Sequence, residues 1–84
     1  MGLRLYRLEG CPYCDRVVDR LEDLDLAYES VWVAAEHSRR NDLKRISGQR
    51  QVPVLLDDDR GVTMAESDRI VEYLDTSYAS VDAD

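Results

Sequence analysis

The chain has 84 residues, 44% of them hydrophobic, and carries 18 acidic against 11 basic side chains for a net charge of −7. That length supports a single domain over residues 1–84 and no second core. The charge excludes functions that need clustered positive potential, nucleic-acid binding first among them, and no apolar stretch approaches the roughly 18 residues of a membrane span.

Leu3 to Leu8 has Leu3 and Leu5 on one face and Arg4 and Tyr6 on the other, which predicts a strand running into Gly10. Pro12 suits a first helical turn, and Val17, Val18, Leu21 and Leu24 then recur at helical spacing opposite a charged face. Ala27 to Val33, with Tyr28, Val31 and Trp32, predicts a second strand. Ser38 is placed to cap a second helix carrying Leu43 and Ile46, and Gly48 to end it. Val52 to Leu56 reads as a buried strand interrupted by Pro53, Asp57 to Gly61 as a turn, and Val62 to Met64 as a fourth strand. From Glu66 the spacing is helical again, through Ile70, Val71, Tyr73 and Leu74, before a polar tail from Ser80 to Asp84. The order is βαβαββα, an α/β domain with a four-stranded mixed sheet: a right-handed parallel unit, then an antiparallel hairpin, flanked by helices.

Met1 to Gly10 lacks the continuous apolar region of a secretion signal, and Tyr6 stands where myristoylation needs Ser or Thr, so a cytoplasmic location is expected. Two cysteines, Cys11 and Cys14, are too few for a disulfide scaffold; in a reducing cytosol such a pair is reactive or metal-binding. Zinc would require about four ligands. The only histidine, His37, lies beyond a predicted strand, so no intrachain metal is expected. Inert burial fits poorly with an exposed Pro-Tyr helix opening.

Cys11-Pro12-Tyr13-Cys14 follows a strand and opens a helix, a context that makes the pattern specific. Unpaired N–H groups of the first turn and the positive end of the helix dipole stabilise an anion, so Cys11 is expected to ionise more readily than a free thiol and to act as nucleophile. Cys14, three residues on, lies on the same side and can resolve the intermediate by closing a small disulfide ring. Lowering a thiol pKa from about 8.5 to about 5 raises the thiolate fraction roughly 30-fold at neutral pH, but a Brønsted slope of about 0.45 takes back a similar factor in nucleophilicity. The advantage comes when the sulfur departs as a stable thiolate.

Together with this motif, Gly48-Gln49-Arg50-Gln51-Val52-Pro53-Val54-Leu55 and Met64-Ala65-Glu66-Ser67, followed by Ile70-Val71-Glu72-Tyr73-Leu74, resemble the glutaredoxin family over nearly the whole chain. The resemblance is to the dithiol (CPYC) members, and especially to the branch nearest the N-terminal domains of glutathione S-transferases. It implies a thioredoxin-like fold, thiol–disulfide oxidoreductase activity through Cys11 and Cys14, disulfide-containing proteins as substrates, and glutathione or a related γ-glutamyl thiol as the low-molecular-weight cosubstrate. A monomer is expected. It also implies a cis peptide bond before Pro53, turning the Val52 backbone towards the active cysteine to pair with a thiol peptide as an added strand. From sequence alone, Pro53 is equally an edge-strand proline. Ser67 and the last helix would take a γ-glutamyl carboxylate, with Glu66 or Asp68 receiving the ammonium; ordinary N-capping by Ser67 is compatible. Tyr13 would cover the bound disulfide, and Arg50 and Gln51 would reach the terminal carboxylate. Many dithiol members have a lysine three residues before the first cysteine, where this chain has Leu8, with Arg7 one residue earlier. Activation of Cys11 is therefore expected to rest more on the helix. The chain ends at Asp84 without the helical domain of a transferase, so conjugation is not expected. A thioredoxin-like reductant fed by a reductase, and an iron–sulfur cluster carrier using Cys11 and a thiol peptide, are the competing readings.

The charged set is lopsided: Lys44 is the only lysine beside ten arginines, and twelve aspartates outnumber six glutamates. An acidic surface of this kind suits a halophile, whose salt screens the self-repulsion. A haloarchaeal source would replace glutathione by γ-glutamylcysteine, which keeps the γ-glutamyl group and lacks the glycine. The halophile reading predicts a folded state that is markedly more resistant to unfolding in multi-molar salt than in dilute buffer. Equal denaturation midpoints in the two conditions would reduce the acidic count to ordinary surface charge.

Overall fold

The alternation in the first strand sets the plan of the molecule. In the computed structural model, which describes residues 2–78, β1 (Leu3–Arg7) pairs in parallel with β2 (Tyr28–Trp32) and antiparallel with β3 (Val54–Asp57), which pairs antiparallel with β4 (Val62–Ala65). The sheet order β2-β1-β3-β4 puts β1 and β3 at its centre. The helices are α1 (Pro12–Asp23), α2 (Asn41–Ser47) and α3 (Ser67–Ser77), with a 3-10 turn at His37–Arg39. The expected βαβαββα mixed sheet is the observed one.

Because strand side chains alternate, each central strand feeds two cores. Leu5 stands opposite Leu55 in the β1–β3 register, and both join Leu3, Val17, Leu21, Ile70 and Leu74 in the core beneath α1 and α3. Tyr6 stands opposite Val54, and both join Leu43 of α2 in a smaller core on the other face. Tyr6, expected with Arg4 on the face opposite Leu3 and Leu5, is there and is buried, because α2 covers its end of that face. The heptad-like positions of α1 behave as their spacing predicts: Val17 and Leu21 are buried, and Val18 and Leu24 pack at the edge. Fully burying side chains of this size is worth about 1.5–3 kcal/mol each, more than the exposed Arg16–Asp68 pair between α1 and α3, which the half-buried Arg20–Asp75 pair accompanies.

Three local expectations change. Ser38 does not cap α2, since it lies inside the 3-10 turn and Arg40 is the capping residue; Gly48 does end the helix, in the left-handed conformation at φ 81°. The third strand begins only after Pro53, which has no N–H for the ladder. Asp57, assigned to the turn, is the last residue of β3 and is buried. The tail Ser80 to Asp84 lies outside the described residues.

Asp57 survives burial through hydrogen bonds. The hydroxyls of Tyr73 (2.7 Å) and Tyr78 (2.5 Å) donate to its Oδ2, and Arg60 Nε lies 3.9 Å away. Burial works to raise its pKa, but the hydrogen bonds from Tyr78 and Tyr73 prevail and hold it below the usual value of 3.8. The same contacts act in reverse on the phenols: burial and then the Asp57 carboxylate push Tyr73 up to about 12 and Tyr78 upward.

A depressed carboxyl contributes stability that is present above its unfolded pKa and lost as pH falls through the folded value; a raised phenol contributes stability present below about pH 10 and lost as pH rises through its folded value. Thermal melts should therefore show one limb below about pH 4 and another above about pH 10. Asp57→Asn should lower stability by about 1–3 kcal/mol and flatten the acid limb. An acid limb that keeps its shape in this variant would remove Asp57 as its source.

Candidate active site

Three connections meet at one end of the sheet, and strand direction dictates which. β1 ends at Arg7 and leads to Cys11; antiparallel β3 begins at Val54, opposite Tyr6, and follows Val52 and Pro53; β4 ends at Ala65, opposite Val54, and leads to Glu66 and Ser67. The opposite end holds Leu3, Asp57 and Val62 in register. Segments distant in sequence are thus assembled by strand pairing.

Gly10, at φ 78°, supplies the turn between β1 and α1, a left-handed conformation that a side chain would strain. Cys11 is the N-cap of α1. Its backbone is extended (φ −90°, ψ 111°), Pro12 opens the helix, and the Cys11 carbonyl accepts the first helical bond from Asp15 at 3.0 Å. The Cys11 sulfur takes the place of a capping oxygen and accepts the Cys14 N–H at 3.3 Å. One orphan amide of the helix end is directed at this sulfur.

The two thiols are free and unequal. Cys11 is partly exposed, whereas Cys14 faces the core and is fully buried. Burial, followed by the hydrogen bond and charge of Cys11, pushes the Cys14 thiol up to about 12; a backbone hydrogen bond with Leu8 and the charge of Arg7 oppose this. Arg7 projects from β1 beneath the cysteine turn. Its guanidinium lies 4.3 Å from the Trp32 ring centre, donates to Ser30 Oγ at 3.1 Å and sits 3.8 Å from Asp15.

Tyr13, Gln51, Val52, Pro53, Glu66, Ser67 and Asp68 line one cleft of about 430 Å³. The Val52–Pro53 peptide bond is cis. Tyr13 stands 64% exposed at the cleft wall. Ser67 is buried as the first residue of α3, and Glu66 precedes it at φ 74°, ψ 125°. No side chain caps α3, so the alternative of Ser67 as an ordinary N-cap is not realised. A positive φ at glutamate is strained backbone, of the kind that concentrates at ligand-binding positions. Asp68 forms an ion pair with Arg16. Arg50 is not among the lining residues: its Nη2 donates to Asn41 Oδ1 at 2.9 Å.

Sequence reasoning passed over Arg40 and Asp57. Arg40 is one of two adjacent arginines, Arg39-Arg40, and nothing in the pattern says which is buried. Asp57 opens a run of three aspartates, which reads as a turn. Among the described residues no group of three or more His, Cys, Asp or Glu side chains is arranged to hold a metal ion.

Residues 5–81 match the family model for the glutathione S-transferase N-terminal domain. A glutaredoxin-like 8.6 kDa protein in the rubredoxin operon of Clostridium pasteurianum is 27% identical over 73 residues, which cover 83% of this chain and 97% of that protein. A trimeric glutathione transferase of Leishmania has a TM-score of 0.81 at 32% identity, over 94% of this chain and 17% of that one. A glutathione transferase homolog from Drosophila mojavensis, solved with bound glutathione, has a TM-score of 0.81 at 26% identity, over 92% of this chain and 35% of that one. The chain therefore spans well under half the length of these two solved proteins.

The difference in exposure predicts the order of alkylation. With iodoacetamide near neutral pH, mass spectrometry should find one adduct, at Cys11, with Cys14 modified only after denaturation. Comparable rates at both thiols would contradict the burial of Cys14.

Proposed function

The chain belongs to the glutathione S-transferase N-terminal domain family and has the thioredoxin-like fold of its structural neighbours, and on that premise we propose that it is a glutaredoxin-type thiol–disulfide oxidoreductase. Its substrates are mixed disulfides of proteins with glutathione or a related γ-glutamyl thiol, and protein disulfides. A glutaredoxin-like relative of similar length and a homolog solved with glutathione support a thiol-based chemistry. The observation that carries the redox reading is the Cys11 sulfur at the head of α1, accepting the Cys14 N–H, with the cleft opening at Tyr13 in the same helical turn.

In the first step the Cys11 thiolate attacks the small-thiol sulfur of the mixed disulfide. A Cys11–thiol disulfide forms, the original S–S bond breaks, and the electron pair leaves on the protein sulfur, which takes a proton from water. A second γ-glutamyl thiolate then attacks the small-thiol sulfur held on Cys11. It departs as the symmetric disulfide and returns Cys11 as a thiolate, so one free small thiol is consumed for each protein thiol released and the number of disulfide bonds is unchanged. The positive end of α1 favours this departure.

Cys14 offers the intramolecular exit, and its environment gives it a sequence of states. Two of the influences that raise its pKa, the hydrogen bond and the charge of Cys11, vanish once the Cys11 sulfur is in a mixed disulfide. Cys14 thus becomes more acidic in the intermediate that it would attack, with burial as the remaining restraint.

The cleft suits a small peptide thiol. Ser67 and the first amides of α3 take the γ-glutamyl carboxylate, and Glu66 takes the ammonium, since Asp68 is paired with Arg16. The Val52 main chain pairs with the cysteinyl residue as an added strand, Tyr13 covers the disulfide, and Gln51 borders the far end. The engagement of Arg50 with Asn41 favours the shorter thiol, γ-glutamylcysteine, because the glycine carboxylate of glutathione would lack its cation.

Turnover of mixed disulfides of glutathione and of γ-glutamylcysteine, compared in dilute and multi-molar salt, tests the reading. Cys11→Ser should abolish transfer from both substrates; Cys14→Ser should keep mixed-disulfide turnover and lose the protein-disulfide reaction. Activity confined to a reductase-coupled control would transfer the chain to the thioredoxin-like reductants, and appreciable activity in Cys11→Ser would refute the assignment of the nucleophile.

A further inference from the structure

Arg40 is 5% exposed and its hydrogen-bond acceptors are main-chain carbonyls. Nε donates to Ala34 O at 2.6 Å, Nη2 to Ala35 O at 3.1 Å and Nη1 to Arg50 O at 2.8 Å. Burying a guanidinium is strongly unfavourable unless its N–H groups find partners. Here the partners belong to two loops: the segment that leaves β2, and the segment that enters the cleft. Arg50 immediately precedes Gln51, Val52 and Pro53, which have no ladder bonds of their own before β3 starts at Val54.

The approach to these residues is organised around the same side chain. The Arg40 carbonyl accepts the Lys44 N–H at 3.1 Å and so starts α2. The helix ends at Gly48, and Ser47 Oγ accepts the Gln49 N–H at 3.3 Å. The chain then reaches Arg50, whose carbonyl returns to the Arg40 guanidinium. A closed circuit of hydrogen bonds runs from Arg40 through α2 and back. Between Gly48 and β3, Ser47 holds the main chain at Gln49 and Arg40 holds it one residue further on, at the Arg50 carbonyl next to the cleft.

We infer that Arg40 is a positioning residue for thiol recognition: its guanidinium holds the Arg50 carbonyl and thereby sets the place of the Gln51-Val52-Pro53 wall against which the γ-glutamyl thiol binds. The inference deepens the proposed function and rests on it. Arg40 touches neither the substrate nor the sulfurs, so its loss acts on binding and leaves the chemistry at Cys11 intact. The planar fork reaches three carbonyls in different directions, which an ammonium cannot match.

The test uses the full chain and mixed disulfides of γ-glutamylcysteine and glutathione. Arg40→Met should raise KM about tenfold with kcat within about twofold of wild type, and Arg40→Lys should fall between. Amide NMR shifts of Gln51 and Val52 should move in Arg40→Lys while those of Val17 and Leu21 stay, and this readout needs no turnover. If Arg40→Met does not fold, Arg40→Lys carries both measurements. Unchanged KM together with unchanged Gln51 and Val52 shifts overturns the inference, as does a fall in kcat at constant KM. A wild-type chain that turns over neither disulfide defeats the proposed function instead, and the NMR shifts then decide whether Arg40 holds the wall.

Discussion

The pairing of β1 with β3 governs the rest of the molecule. One register puts Leu5 beside Leu55 and Tyr6 beside Val54, so a single pair of strands supplies the floor of the core under α1 and α3 and of the smaller core under α2. A slip by one residue would exchange the two faces and strand apolar side chains on the wrong helices. The same register determines where chemistry can occur. With β1 running towards Cys11, β3 running away from Pro53 and β4 running towards Glu66, the three connections must meet beyond one end of the sheet.

Among the described residues two buried charged side chains, Arg40 and Asp57, lie outside the apolar cores and are accommodated alike. Arg40 donates hydrogen bonds to carbonyl oxygens of two loops, and Asp57 accepts hydrogen bonds from two phenols at the end of the sheet opposite the cleft. Hydrogen bonds from neutral hydroxyls and to neutral carbonyls dominate at both, with Arg60 Nε 3.9 Å from the Asp57 carboxylate. Charged groups form stronger hydrogen bonds than neutral ones, so each fastens chain segments that apolar packing leaves loose. Arg40 ties the loops at α2, and Asp57 ties the end of α3 to the end of β3.

The cysteine pair gains its asymmetry from the helix that carries it. The N-cap is the last residue outside the helical cylinder, so Cys11 meets solvent, whereas Cys14 has turned inward by its place in the first turn. On a strand two cysteines three residues apart would fall on opposite faces of the sheet, whereas the helical period keeps them on one side, close enough to react with one another. Acidic groups stand at the site as well, Asp15 in the first turn of α1 and Glu66 and Asp68 in the cleft, so the helix end and Arg7 are the positive groups set against them.

Much of this was legible from the residues. The alternation in Leu3 to Tyr6, the helical spacing of Val17 and Leu21, and a cysteine motif at a strand-to-helix junction are local patterns, and a local pattern determines an element because its period matches the geometry of the backbone. Seven of the eight positions expected to contact a thiol line one cleft, and Arg50 is turned to Asn41 instead. The burial of Tyr6, the depth of Asp57 at the end of an aspartate run, and the choice of Arg40 over Arg39 as the buried cation had no local signature. Each depends on which element packs over a given face, and only tertiary structure decides that: burial and hydrogen-bond partners belong to segments brought together by strand pairing, whereas the sequence by itself determined the elements, their order and the two sulfurs.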